Sequence, residues 1–193
     1  MYKIKVISVL AVLLVMFSGF WDGKSKSEVS QDNSSAKQER VNESQKTLRL
    51  LYKYAPDAKD IIGHAYGYAT FSNLGASFFI SVEGGKGLAH NNETSHNTYM
   101  NMGSVGGGIS FGVKDFRAVF LFENKKAFRH FINNGWQADA QADAAAKSGK
   151  NGDAYNGAVS VAPGIRLYKL TQNGLVVGAT IQGTKYWKDG DLN

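Results

Sequence analysis

"GSVGGGISFGVKD", Gly103 to Asp115, is where an enzyme and a structural sheet part company in this chain. It holds five glycines, Gly103, Gly106, Gly107, Gly108 and Gly112, and its segment 108–112 fits the G-x-S-x-G pattern of a serine hydrolase. That pattern carries chemistry only where a strand ends in a sharp turn bearing the serine and a helix comes next. Read with period two, the stretch puts Val105, Gly107, Ile109, Phe111 and Val113 on one face. Ser104, Gly106, Gly108, Ser110 and Gly112 fall on the other. A face of Ser and Gly alone lets another element approach the backbone closely. The residues after Ser110 are strand-like: Phe116, Ala118, Phe120 and Phe122 alternate with Arg117, Val119, Leu121 and Glu123. The glycine stretch is therefore expected to be a structural strand. Ser110, with Asp115, Glu123 and His130 downstream, then forms a triad in chain order only.

On either side of this stretch, the same period-two reading predicts strands at 68–72, 76–83, 99–113, 116–123, 157–162, 165–171 and 175–187. Asn173-Gly174 between the last two is a hairpin signal. Helical spacing begins near Glu39, with Val41, Leu48, Leu51, Tyr52 and Ala55 recurring until Pro56 stops the run. Asp57 is placed to cap a short second helix carrying Ile61, Ile62 and Ala65. A third is expected at 125–133, capped by Asn124 and closed by Gly135, whereas the Ala-rich 136–147 fits either helix or a small-residue strand. Strands outnumber helices, turns are short and βαβ alternation is missing. The expected fold is α+β: a mostly antiparallel, curled or barrel-like sheet packed with a few helices.

At 193 residues a single domain is expected, and 43% hydrophobic with 20% charged residues excludes wholesale disorder. The sequence has no cysteine, which removes disulfides, thiolate catalysis and Cys-based metal sites. The net charge of +6 is concentrated at the start: Lys3, Lys5, Lys24 and Lys26 flank the first apolar run against Asp22 alone. Residues 27–193 hold 18 basic and 15 acidic side chains, too small an excess to point to nucleic acid. The opening "MYKIKVISVLAVLLVMFSGFW" has the layout of an export signal, two lysines before an apolar run of 16 residues from Val6 to Trp21. A spanning helix needs ~20 residues. Residues 1–21 are read as a signal peptide or a short N-terminal membrane anchor, and the Ser-rich 22–38 as a flexible polar linker. The expected location is the periplasm or cell envelope.

Other chemistry is weakly signalled. "EGGKGLA" has its lysine between glycines with no Ser or Thr behind it, so it is no P-loop, and no helix comes after Gly106, Gly108 and Gly112 to make a dinucleotide fingerprint. His90, Glu93 and His96 sit in an Asn/Ser/Thr-rich segment that reads as an exposed hairpin rather than a metal site. His64 reads as a helix-end residue, and Asp139 and Asp143 share a face if their segment is helical. Asn33, Asn42 and Asn92 begin N-x-[ST] sequons, which matter only in a glycosylating pathway. No catalytic residue, metal or cofactor is expected. The feature that points to a partner is on the first helix: Lys46, Arg49 and Lys53 fall at i, i+3 and i+7, beside an apolar side of Leu48, Leu51, Tyr52 and Ala55. Near an anionic bilayer each such cation contributes ~1 kcal/mol. The plain alternative is the solvated face of a packed helix.

"AYGYATFSNLGASFFISVEGGKGLA" (65–89), "MNMGSVGGGISFG" (100–112), "RAVFLFENKKAFRHF" (117–131) and "GLVVGATIQGTKYW" (174–187) resemble the lipid-binding SYLF domain family. Eukaryotic relatives in that family are described as actin-patch regulators. The resemblance covers roughly 40–193 and sets the SYLF-like domain at 39–193. It implies a β-rich core with packed helices, no catalysis, and lipid contact through a basic amphipathic N-terminal region, which falls on Lys46, Arg49 and Lys53. Bacterial relatives are envelope proteins, often lipid-anchored, and this chain lacks the anchoring cysteine. The ligand class implied is anionic phospholipid rather than phosphoinositide. The other reading is a periplasmic structural or protein-interaction module whose partner is an envelope protein.

Overall fold

The computed structural model describes residues 26–73, 83–104, 116–140, 142, 157–176, 181 and 183–193. Three helices lie among these residues, α1 (Lys26–Tyr54), α2 (Ala58–His64) and α3 (Lys125–Asn134). The strands are β1 (Gly67–Ser72), β2 (Glu83–Asn91), β3 (Asn97–Ser104), β4 (Arg117–Phe122), β5 (Trp136–Gln137), β6 (Val159–Ala162), β7 (Ile165–Thr171), β8 (Gly174–Leu175) and β9 (Thr184–Lys188). They form one sheet in the order β5-β9-β3-β2-β1-β4-β7-β6, with β8 added to β7, and every pairing is antiparallel. The α+β expectation holds.

The sheet is curled into a half-barrel. β4 and β9 are four strand positions apart, roughly 19 Å in a flat sheet. Their side chains Phe120 and Tyr186 nevertheless have ring centroids 4.9 Å apart. Side chains standing perpendicular to a flat sheet cannot close that gap, so this face is concave. It is filled by Phe71, Phe120, Phe122, Met100, Met102 and Tyr186 from the strands, and by Phe128 and Phe131 of α3 with Trp136. Asn124 starts α3 by accepting a hydrogen bond from the Ala127 N–H at 2.9 Å, and Gly135, at φ 72°, ends it. The other face carries α1, α2 and the turn between them, whose Leu51, Ala55, Ala58 and Ile62 pack on Val119, Leu121, Tyr168 and Leu170.

Three expectations need correction. Helix α1 begins at Lys26, inside the stretch expected to be a flexible linker. Tertiary contacts override its weak propensity: Asn33 donates to the Asp191 carbonyl at 3.2 Å, and the Lys37 ammonium lies 5.5 Å from the Tyr99 ring centroid. Strand β2 extends beyond Glu83 through a glycine-rich segment where no strand is expected, because glycine is depleted in strands. Asp57 stands at the start of α2, but its side chain makes no capping hydrogen bond. The strand expected over 175–187 is described only as β8 and β9. Of the strand expected over 99–113, β3 ends at Ser104; residues 105–115, including Gly106, Gly107, Gly108, Ser110 and Gly112, lie outside the described residues.

Candidate functional site

Helix α1 has no Gly or Pro before Pro56 ends it, and Lys53 in its last turn complements the dipole. Arg40, Ser44, Thr47, Leu51 and Ala55 recur at helical spacing and are all buried against the sheet. Lys46, Arg49 and Lys53 lie on the opposite side and are all exposed. Lys46 is paired with Glu43 at 2.6 Å, and the Lys53 ammonium sits 5.2 Å from the Tyr54 ring centroid. The stripe is therefore brought together on one surface. Its apolar neighbours are not: Leu51 is fully buried, and Leu48 and Tyr52 are half-buried against the core. A docked α1 can offer a membrane its charges, not its greasy side.

The buried face changes character along its length. From Leu51 onward it is apolar, but its first half is polar. Arg40 donates to the carbonyls of Gly87 and Met100, to Asn101 Oδ1 at 3.1 Å and to Asp189 Oδ2 at 2.5 Å. Arg117 of β4, also buried, donates to Thr47 Oγ1 at 3.0 Å and lies 3.8 Å from Glu43 Oε2. Between α1 and β1/β2 is a cavity bordered by Glu39, Glu43, Ser44, Thr47, Thr70, Ser72 and Lys86. It offers about 20 Å³ to water-sized occupants, enough for about one water and far too little for a lipid headgroup.

Burial alone would raise the Asp189 pKa, but the Asp191 N–H, the Arg40 guanidinium and further hydrogen bonds hold it below the usual carboxylate value. Asp189 also accepts the Asp191 and Leu192 N–H groups, at 2.9 and 3.2 Å. Tyr68, on the α1 side of β1, is pushed up to about 12 by burial and the nearby Tyr52, with a Ser44 hydrogen bond opposing. Sequence reasoning missed the Arg40–Asp189 pair. Its partners are 149 residues apart and neither sits in a motif.

The remaining candidates are dispersed. His130 is exposed on α3, and Glu123 pairs with Arg166 at 2.6 Å. His90 bonds Asn97 Oδ1 at 2.7 Å, whereas Glu93 and His96 are exposed in the β2–β3 hairpin. His64 Nδ1 meets the Asp60 carbonyl at 2.7 Å at the end of α2. Asp139 accepts the Ala142 N–H at 2.8 Å, and Asp143 lies outside the described residues. Asn92 donates to the carbonyls of Ile62 and Ala65, so this sequon holds the C-terminus of α2. Among the described residues no group of three His, Cys, Asp or Glu is placed to hold a metal ion. Among them also, no helix is long and apolar enough to cross a membrane.

Gly103 alone of the glycines in that stretch is described, and it has a specific neighbour. A Cβ there would lie 2.9 Å from Cη2 of the Trp187 indole.

No family model matches the sequence. Over 147 residues the chain is 35% identical to a protein of Aeromonas veronii described as Beta cell expansion factor A. The match covers 75% of this chain and 54% of that protein, so the chain spans about half the length of the curated relative it matches.

Proposed function

We propose that this chain is an exported, non-enzymatic envelope protein of SYLF type that contacts anionic phospholipid peripherally through the basic side of α1. The observation that carries the reading is the surface of Lys46, Arg49 and Lys53, exposed together on a helix whose opposite face is docked. With Leu51 and Ala55 committed to the core, the contact is electrostatic and lies at headgroup level. Binding of that kind is screened by salt. The apolar segment Val6–Trp21 supplies export or a second attachment.

The test is cosedimentation of the protein with neutral and anionic vesicles at low and high salt. The readout is the excess bound to anionic vesicles, because the N-terminal apolar segment can hold the chain on either kind. Replacing Lys46, Arg49 and Lys53 by Gln is expected to weaken that excess by up to roughly 100-fold, at ~1 kcal/mol per cation. A folded triple variant that keeps the wild-type excess removes α1 from the mechanism. If the wild type shows no excess, and a stable envelope-protein partner is recovered instead, the protein-interaction reading replaces this one.

A further inference from the structure

Among the described residues only Val29 and Trp187 are large hydrophobics left exposed, each at 43%. Single exposed apolar residues are ordinary on protein surfaces. Trp187 differs in its setting. Strand alternation puts it on the α1 side of the sheet, opposite Asn101, the residue whose Oδ1 accepts from Arg40. The six-membered ring of its indole rests on Gly103, where any Cβ would push it away. The indole is thus fixed and half-exposed, one strand beyond the buried contact of α1. Lys185 shares its face two residues earlier, Lys188 ends the strand on the opposite face, and both are exposed. Neither enters an ion pair among the described residues. The nearest carboxylate in sequence, Asp189, is already neutralised by Arg40.

We infer that Trp187, with Lys185 on the same face and seated on Gly103, is a second point of contact with an anionic bilayer, inserting its indole at the headgroup boundary. The inference rests on the proposed membrane function and adds to it the element the α1 stripe lacks, an aromatic anchor. An indole has an apolar body and one N–H, which suits the membrane–water interface. The Lys185 ammonium on the same face, with Lys188 at the end of the strand, matches an anionic surface and would oppose a basic partner. An apolar protein partner would leave Lys185 without a counterpart.

The experiment uses the full chain carrying Trp21→Phe, so that the N-terminal segment contributes no indole signal. Vesicles of phosphatidylglycerol in phosphatidylcholine, with and without bromine-labelled acyl chains, are titrated while tryptophan emission is recorded. Trp136, half-buried on the concave side, serves as the internal unquenched reference. Bromine quenching is expected for this protein and is expected to vanish in the Trp21→Phe/Trp187→Phe variant. Trp187→Ala is expected to weaken binding to the anionic vesicles about fivefold, the value of burying roughly half an aromatic side chain. Bound protein whose quenching is the same with and without Trp187 overturns the inference and leaves the α1 reading standing. So does Trp187→Ala binding equal to wild type. A wild type that ignores anionic vesicles sinks both. If Trp187→Ala instead abolishes a dimer seen by sedimentation equilibrium while vesicle binding is unchanged, the patch is a self-association surface and the inference fails.

Discussion

Gly87 lies in the middle of β2, opposite Met100 on β3 and Phe71 on β1. A Cβ there would stand 2.6 Å from the Thr70 carbonyl oxygen and closer still to the Phe71 ring. Because one of those neighbours is backbone, no rotamer change relieves the clash. Gly87→Ala is expected to cost about 1–3 kcal/mol as overpacking, read as a lower urea midpoint with an unchanged slope. A midpoint equal to wild type would show that β2 can shift, and would sink this account of the glycine. The same residue shows where a linear reading stops. "EGGKGLA" fails as a phosphate loop, yet nothing local marks it as a strand. Its glycines are needed by side chains of neighbouring strands, and those neighbours are invisible in a linear pattern.

Helix α1 is two helices in function. Its C-terminal end docks through Leu51, with Ala55 just beyond it, as apolar spacing predicts, while its middle docks through Arg40, Ser44 and Thr47. A buried guanidinium is tolerable because Asp189, Asn101 and two carbonyls receive it. Asp189→Asn leaves that charge without its counter-ion and is expected to cost about 3–5 kcal/mol at neutral pH. The acid dependence has a definite sign. The folded pKa of Asp189 is depressed, so its contribution is complete above the unfolded value of about 3.9 and is lost as pH falls through the folded one. Urea denaturation at neutral pH and below about pH 4 should therefore show the gap between wild type and Asp189→Asn closing in acid. A gap that stays constant would mean that Asp189 acts through its turn hydrogen bonds rather than its charge. The basic stripe was legible, because i, i+3, i+7 spacing dictates which side chains share a side. Which side faces water was not, since that depends on what the sheet offers.

For the whole molecule the deciding feature is the curl of the sheet around α3. Phe131 touches the rings of Phe71, Phe120, Phe122, Trp136 and Tyr186, which come from four strands, Trp136 lying just after α3. It is fully buried. Phe131→Ala is expected to cost about 3–5 kcal/mol, because the cavity borders several strands and cannot collapse from one side. Thermal or urea unfolding checks this. A loss below about 1 kcal/mol would mean that the sheet closes over the gap and that α3 does not set the curvature. Tyr186 belongs to the same cluster, and burial pushes its phenol up. Its strand neighbour Trp187 points the other way, which is how β9 joins the concave core to the surface proposed to meet lipid.

Local patterns in the chain were enough for the class of fold, the third helix with Asn124 and Gly135 at its ends, the β7–β8 hairpin at Asn173-Gly174, and the grouping of Lys46, Arg49 and Lys53. These come from period, capping and turn chemistry, which act over a few residues. The three-dimensional arrangement was needed to show that α1 starts at Lys26, that β2 exists beyond Glu83, that Arg40 meets Asp189, and that Trp187 rests on Gly103. Each depends on groups far apart in the chain that curvature of the sheet brings within contact, and such proximity has no local signature.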